Sequence, residues 1–85
     1  MSDSSRVRLT NESNGRGTLY LEPWGEEYEL GPSASVELLA GGPPGRFEIS
    51  YCDGGMIVYA WSGARVVVLR DGVDVSQSCK DIPAP

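Results

Sequence analysis

Apolar and polar residues alternate along most of this chain with a period of two, which is the spacing of a half-buried β-strand. Val7 and Leu9 alternate with Arg6, Arg8 and Thr10. Leu19 and Leu21 alternate with Thr18, Tyr20 and Glu22, and Tyr28 and Leu30 share one side of residues 26–30. Phe47, Ile49 and Tyr51 alternate with Glu48 and Ser50. Residues 56–61 and 66–69 are apolar on both faces, with Ile57, Tyr59 and Trp61 on one side of the first and Val58 and Ala60 on the other. Strands of that kind belong in the middle of a sheet, covered from both sides. Val73 and Val75 complete the last strand. Residues 33–40 alternate as a strand but also permit a short serine-capped helix; the strand is preferred because eight residues make a marginal helix.

The breaks between these runs are turn chemistry. Asn14-Gly15 lies in a loop over residues 11–17 and suggests a reversal with positive φ. Pro23, Trp24 and Gly25 form a break, as do Gly31-Pro32, the Gly/Pro run at 41–45, Asp53-Gly54-Gly55 and Ser62-Gly63. Asp71-Gly72 is a two-residue hairpin signal. About seven or eight short strands with turns at this spacing predict an all-β fold: a single small antiparallel β-sandwich or jelly-roll-like barrel. Residues 6–76 make that domain. Residues 1–5 read as a flexible N-terminus, and 77–85, with prolines that cannot continue a ladder, as an extended or frayed tail.

Eighty-five residues support one domain with a thin core. Twelve acidic against seven scattered basic residues give a net charge of −5, which repels phosphate and argues against nucleic acid and anionic membranes as partners. No apolar run is long enough for a signal or a membrane span. A cytoplasmic, reducing setting is therefore expected, with Cys52 and Cys79 as thiols and a disulfide between them as the lesser alternative.

The chain has no histidine, which removes the commonest general base and the commonest zinc and copper ligand. No metal or other cofactor is expected. Cys52 sits beside Asp53 without a cation to activate it. Glu22, Glu26, Glu27 and Glu29 form the densest charge cluster and read as a solvated acidic rim. The aromatics are more informative. Trp24 lies in a break, Trp61 closes an apolar run, and Tyr28, Tyr59 and Ile57 flank them in the pattern. Such rings either plug the ends of a sandwich or present a platform to a partner.

Tyr28, Leu30 and Pro32, followed by Val36 and Leu38, resemble an edge pattern of cupin-like jelly rolls. Leu21, Pro23, Trp24 and Gly25 resemble a run in small uncharacterised bacterial β-proteins. The resemblance implies a jelly-roll or sandwich fold and, without the histidine ligands of catalytic cupins, no cupin activity. The expected function is a non-catalytic interaction or assembly module of a bacterial cytoplasm. Trp24, Tyr28, Ile57, Tyr59 and Trp61 would form the surface that meets another protein or a second copy. A carbohydrate-binding β-domain is the alternative, and a small carboxylate-based enzyme stands third.

Overall fold

A computed structural model describes residues 5–85. Among the described residues the chain forms eight strands: β1 (Ser5–Thr10), β2 (Gly17–Glu22), β3 (Glu26–Leu30), β4 (Ser35–Gly41), β5 (Glu48–Cys52), β6 (Gly55–Tyr59), β7 (Arg65–Arg70) and β8 (Val73–Asp74). One 3-10 turn, Ser78–Lys80, follows them. The strands lie in two four-stranded sheets, β1-β4-β7-β8 and β3-β2-β6-β5, which remain separate and make an open sandwich, not a closed barrel. The expected loose N-terminus lies outside the described residues except for Ser5, which already belongs to β1.

Alternation decides which side chains meet between the sheets. In the first sheet Val7, Leu38 and Val68 form one inward row, and Leu9 pairs with Val36 in the next. In the second, Tyr28, Leu19 and Met56 form one row, and Glu26, Leu21, Val58 and Ile49 another. Leu19, Leu21, Leu38, Val58, Val66 and Val68 are wholly enclosed. Each such side chain removed from water stabilises the fold by about 1.5–3 kcal/mol before chain entropy is counted. Residues 35–41 are a strand, as preferred above.

β6 and β7 are central strands, but in different sheets. Their outward residues are not covered by a further layer: Ile57, Val67 and Leu69 are half-buried and Tyr59 is exposed. Double-sided apolarity marks their central position correctly and misleads about the second covering. The pairing of β2 with β6 is parallel, Leu19 opposite Met56, in an otherwise antiparallel fold. Gly55 permits it, since a Cβ there would meet the carbonyl oxygen of Thr18, and Thr18 N–H donates to Gly54 O at 2.9 Å.

Two turns illustrate where local signals hold and fail. Asp71 and Gly72 both take positive φ, 52° and 79°, and join β7 to β8 as a two-residue hairpin. At Asn14-Gly15 no positive φ occurs. β1 and β2 lie in different sheets, so this loop crosses the sandwich and does not reverse within a sheet. Asn11 holds it: its Nδ2 donates to the carbonyls of Gly15 and Leu30 at 2.9 Å, and its Oδ1 accepts from Ser13 N–H at 3.0 Å.

Residues 77–85, expected to be extended or frayed, carry the 3-10 turn Ser78–Lys80, run between β7 and β3 and close one long edge of the sandwich. Cys79 and Ala84 are buried, Gly63 N–H donates to Ala84 O, and Ala84 N–H donates to Ala64 O, both at 2.8 Å. Prolines bar a regular ladder but leave these contacts open.

Candidate functional site

The five residues expected to form an interaction surface separate into three environments. Tyr28 is only 5% exposed and cannot belong to a surface. Its parity on β3, shared with Glu26 and Leu30, turns it into the core. Its hydroxyl donates to Glu26 Oε1 at 2.7 Å and accepts Gln77 N–H at 2.9 Å. Glu26 likewise leaves the solvated rim assigned to it. Ser78 N–H and Ser78 Oγ–H donate to its Oε2 at 2.8 and 2.7 Å, so donors from the tail offset the cost of burying the carboxylate. Burial alone would raise the Glu26 pKa, but bonds from Ser78, Tyr28 and Cys79 outweigh it and hold the group below the ordinary 4.5. Burial raises Tyr28 far above its usual range and pushes the Cys79 thiol up to about 12, so both stay protonated at neutral pH. This cluster is a clasp for the tail.

Trp24 and Trp61 are half-buried plugs. Trp24 Nε1–H donates to Ile82 O at 2.7 Å, fixing the end of the tail. Trp61 Nε1–H donates to Pro43 O at 2.8 Å, and its ring lies against Gly45, where a Cβ would come within 2.4 Å of it. The Gly/Pro loop at 41–45 thus wraps this indole. Trp61 meets Phe47 edge-on, with centroids 5.3 Å apart and planes at 70°, which is a packing contact.

Ile57 and Tyr59 do face outward. Register adds a residue that the sequence pattern left unassembled: Tyr20 pairs with Ile57 across the parallel β2–β6 contact. Glu27 lies beside Tyr20, Ser50 beside Ile57, and Tyr59 sits between Glu22 and Glu48. The outer face of the second sheet is therefore a Tyr20–Ile57–Tyr59 centre bordered by Glu22, Glu27, Glu29 and Glu48. Arg16 contacts Glu29 at 3.3 Å at one corner. Tyr20 was legible as outward by parity, but its neighbours depended on a pairing between strands remote in sequence.

The opposite edge of the sandwich, between β1 and β5, opens at the end where Thr10 and Cys52 lie. A cleft of about 750 Å³ there is lined by Arg8, Thr10, Asn11, Tyr51, Cys52 and Met56, among others. Tyr51 at its mouth is 78% exposed. Cys52 and Cys79 are both free, the first exposed and the second enclosed. Among the described residues no cluster of three or more His, Cys, Asp or Glu side chains is placed to hold a metal ion. No helix among them is long and apolar enough to cross a membrane. Comparison with protein-family models, curated proteins and solved structures gave no match to this chain.

Proposed function

We propose that this domain is a non-catalytic protein-interaction module of the bacterial cytoplasm, docking a cationic protein surface on the outer face of its second sheet. The observation that carries the reading is the arrangement on that face: two tyrosines and an isoleucine in contact register, bordered by four glutamates. Aromatic residues with an apolar neighbour and a charged border are the composition of a binding hot spot with its rim. The carboxylates select a basic partner and repel an acidic one. The indoles of Trp24 and Trp61, held by the protein's own carbonyls, serve the fold and leave recognition to Tyr20, Ile57 and Tyr59.

A photo-crosslinking residue at position 59, introduced in cells that make the protein, tests this directly. Adducts are expected from position 59 and not from position 82 on the tail. Glu27→Lys with Glu48→Lys should abolish them. Equal labelling from both positions, or none from 59, would refute the reading.

A further inference from the structure

An edge strand exposes unpaired amides and carbonyls that another chain can use, and three of the four edge strands here are protected. β8 is only two residues long. On β3, Gln77 Nε2–H donates to Glu27 O at 3.0 Å and Arg70 Nη2–H donates to Glu29 O at 2.6 Å, so side chains occupy its free carbonyls. β1 carries Arg6 and Arg8, and pairing it with its own copy about its middle would set arginine opposite arginine. β5 has no such device. Glu48–Cys52 contains no lysine, arginine or proline, and among the described residues no strand pairs with its outer side. Hydrogen-bond parity identifies the groups it offers. Thr18 N–H donates to Gly54 O and Ala60 N–H to Glu22 O, both at 2.9 Å, so Met56 and Val58 turn their backbone toward β2, and Gly55, Ile57 and Tyr59 turn theirs toward β5. Cys52, Ser50 and Glu48 answer them. The amides and carbonyls of Ile49 and Tyr51 therefore point away from the sheet, into the open. Tyr51 also lacks a cover for its ring. It shares the inward parity of Ile49, across from Met56, yet is 78% exposed at the mouth of the cleft.

We infer that β5 pairs with β5 of a second copy, antiparallel about a two-fold axis at Ser50. Within the strand one two-fold register uses every free group: Ile49 stands opposite Tyr51 of the other copy, and Tyr51 opposite its Ile49, giving four main-chain hydrogen bonds. That register lays each exposed Tyr51 ring along the half-buried Ile49 of the other copy, an aromatic–β-branched cross-strand pair. The charges agree with it. Arg46, just before β5, falls at the Asp53-Gly54 turn of the other copy, and symmetry makes that contact twice; Glu48 falls opposite Cys52, so no like charges are opposed. Any extended chain could use the free backbone groups, but a copy of this strand also supplies an aspartate to Arg46 and an isoleucine to Tyr51. The contact is isologous and closes, so the assembly is a dimer in which the two second sheets merge into one sheet of eight strands. It stands independently of the proposed function and would place two Tyr20–Ile57–Tyr59 centres on one continuous face. Hydrogen bonds exchanged for bonds to water contribute modestly, so the dimer is weak and fills at high protein concentration.

Sedimentation of the purified, reduced chain up to about 1 mM, at about 0.15 M salt, should show a monomer–dimer equilibrium that stops at the dimer. Tyr51→Pro removes an outward N–H without breaking a bond to β6 and should leave a monomer at every concentration. Tyr51→Lys, which keeps the N–H and sets a charge on the inward side of the edge, replaces it if the proline variant fails to fold by circular dichroism. Arg46→Asp alone and Asp53→Arg alone should each weaken the dimer roughly tenfold. An equimolar mixture of the two should recover the wild-type association, because each mixed contact again joins opposite charges. Cysteines read the register. In a Cys52→Ser background, Ser50→Cys should crosslink to a dimer under oxidised glutathione about tenfold faster than Glu48→Cys, since residue 50 faces its own counterpart with Cα atoms about 4.5 Å apart. A wild type that stays monomeric, a dimer that survives the change at Tyr51, charge variants that do not complement, or equal crosslinking at positions 48 and 50 would overturn the inference.

Discussion

The two long edges of this sandwich solve the same problem in opposite ways. At the β3–β7 edge the tail closes the gap between sheets: Cys79 fills it, Ser78 and Gln77 bond to Glu26 and Tyr28, and Trp24 holds Ile82. At the β1–β5 edge the loop before β5 meets the start of β1, where Ser5 Oγ–H donates to Gly45 O at 3.1 Å, while at the far end Tyr51 and Cys52 stand at the mouth of a cleft. Both edges carry a tyrosine and a cysteine. The enclosed pair is held by burial and hydrogen bonds, whereas the exposed pair makes few contacts that its loss would break. Equal residue types therefore contribute very unequally, according to whether a segment from elsewhere covers them.

Removing residues 78–85 is the severest way to break this contrast. It uncovers Glu26 and Tyr28 and deletes the buried Cys79 and Ala84. Domains of this size have only about 4–13 kcal/mol of stability in all, so the truncated chain should be largely unfolded at 37 °C by circular dichroism. Glu26→Gln keeps the volume but places an amide donor among donors from Ser78 and Tyr28. A loss of about 2–3 kcal/mol is expected in urea denaturation. The wild type also carries a pH signature. Because the folded-state pKa of Glu26 lies below 4.5, its contribution is fully present above that pH and disappears as pH falls through the folded value. The Gln variant should lose less stability than the wild type between neutral pH and that acid range.

Much of this architecture is written in local pattern. Inward Val7, Leu9, Leu19, Leu21, Val66 and Val68, and the hairpin at Asp71-Gly72, follow from alternation and turn chemistry alone. The tail and the acidic face do not. Glu26 and Ser78 find each other across the whole domain, and nothing near Ser78 announces a carboxylate partner. Glu26 was nonetheless distinguishable from its acidic neighbours: it shares parity with Tyr28 and Leu30, while Glu27 and Glu29 do not. Trp24 and Trp61 fit a plug or a platform by position alone, and the carbonyls of Ile82 and Pro43 that hold their indoles are not legible in local pattern.

Smaller effects sharpen the contrast between the edges. Cys79→Ala should cost about 1–2 kcal/mol, for a cavity lined partly by polar groups. A thiol reagent at pH 8 should modify Cys52 at once and Cys79 only with unfolding; equal rates would mean that the tail opens freely. Tyr51→Ala should change stability by no more than about 0.5 kcal/mol in the same urea assay. A larger loss would show that the open edge is closed in solution by contacts absent from the described residues.

The parallel contact between β2 and β6 has a kinetic consequence. The β2–β3, β5–β6 and β7–β8 ladders join neighbours in sequence and can form as local hairpins. Neither sheet is complete until distant segments meet: β6 must settle on β2, and β4 must gather β1 and β7. Loop closure precedes the reward in each case, which places this small domain among slow folders, in the range of about milliseconds to seconds. Gly55 lies at the centre of that search. It is where the β5–β6 hairpin must approach the backbone of Thr18 closely enough to bond, and any side chain there would obstruct the encounter that unites the two halves of the second sheet.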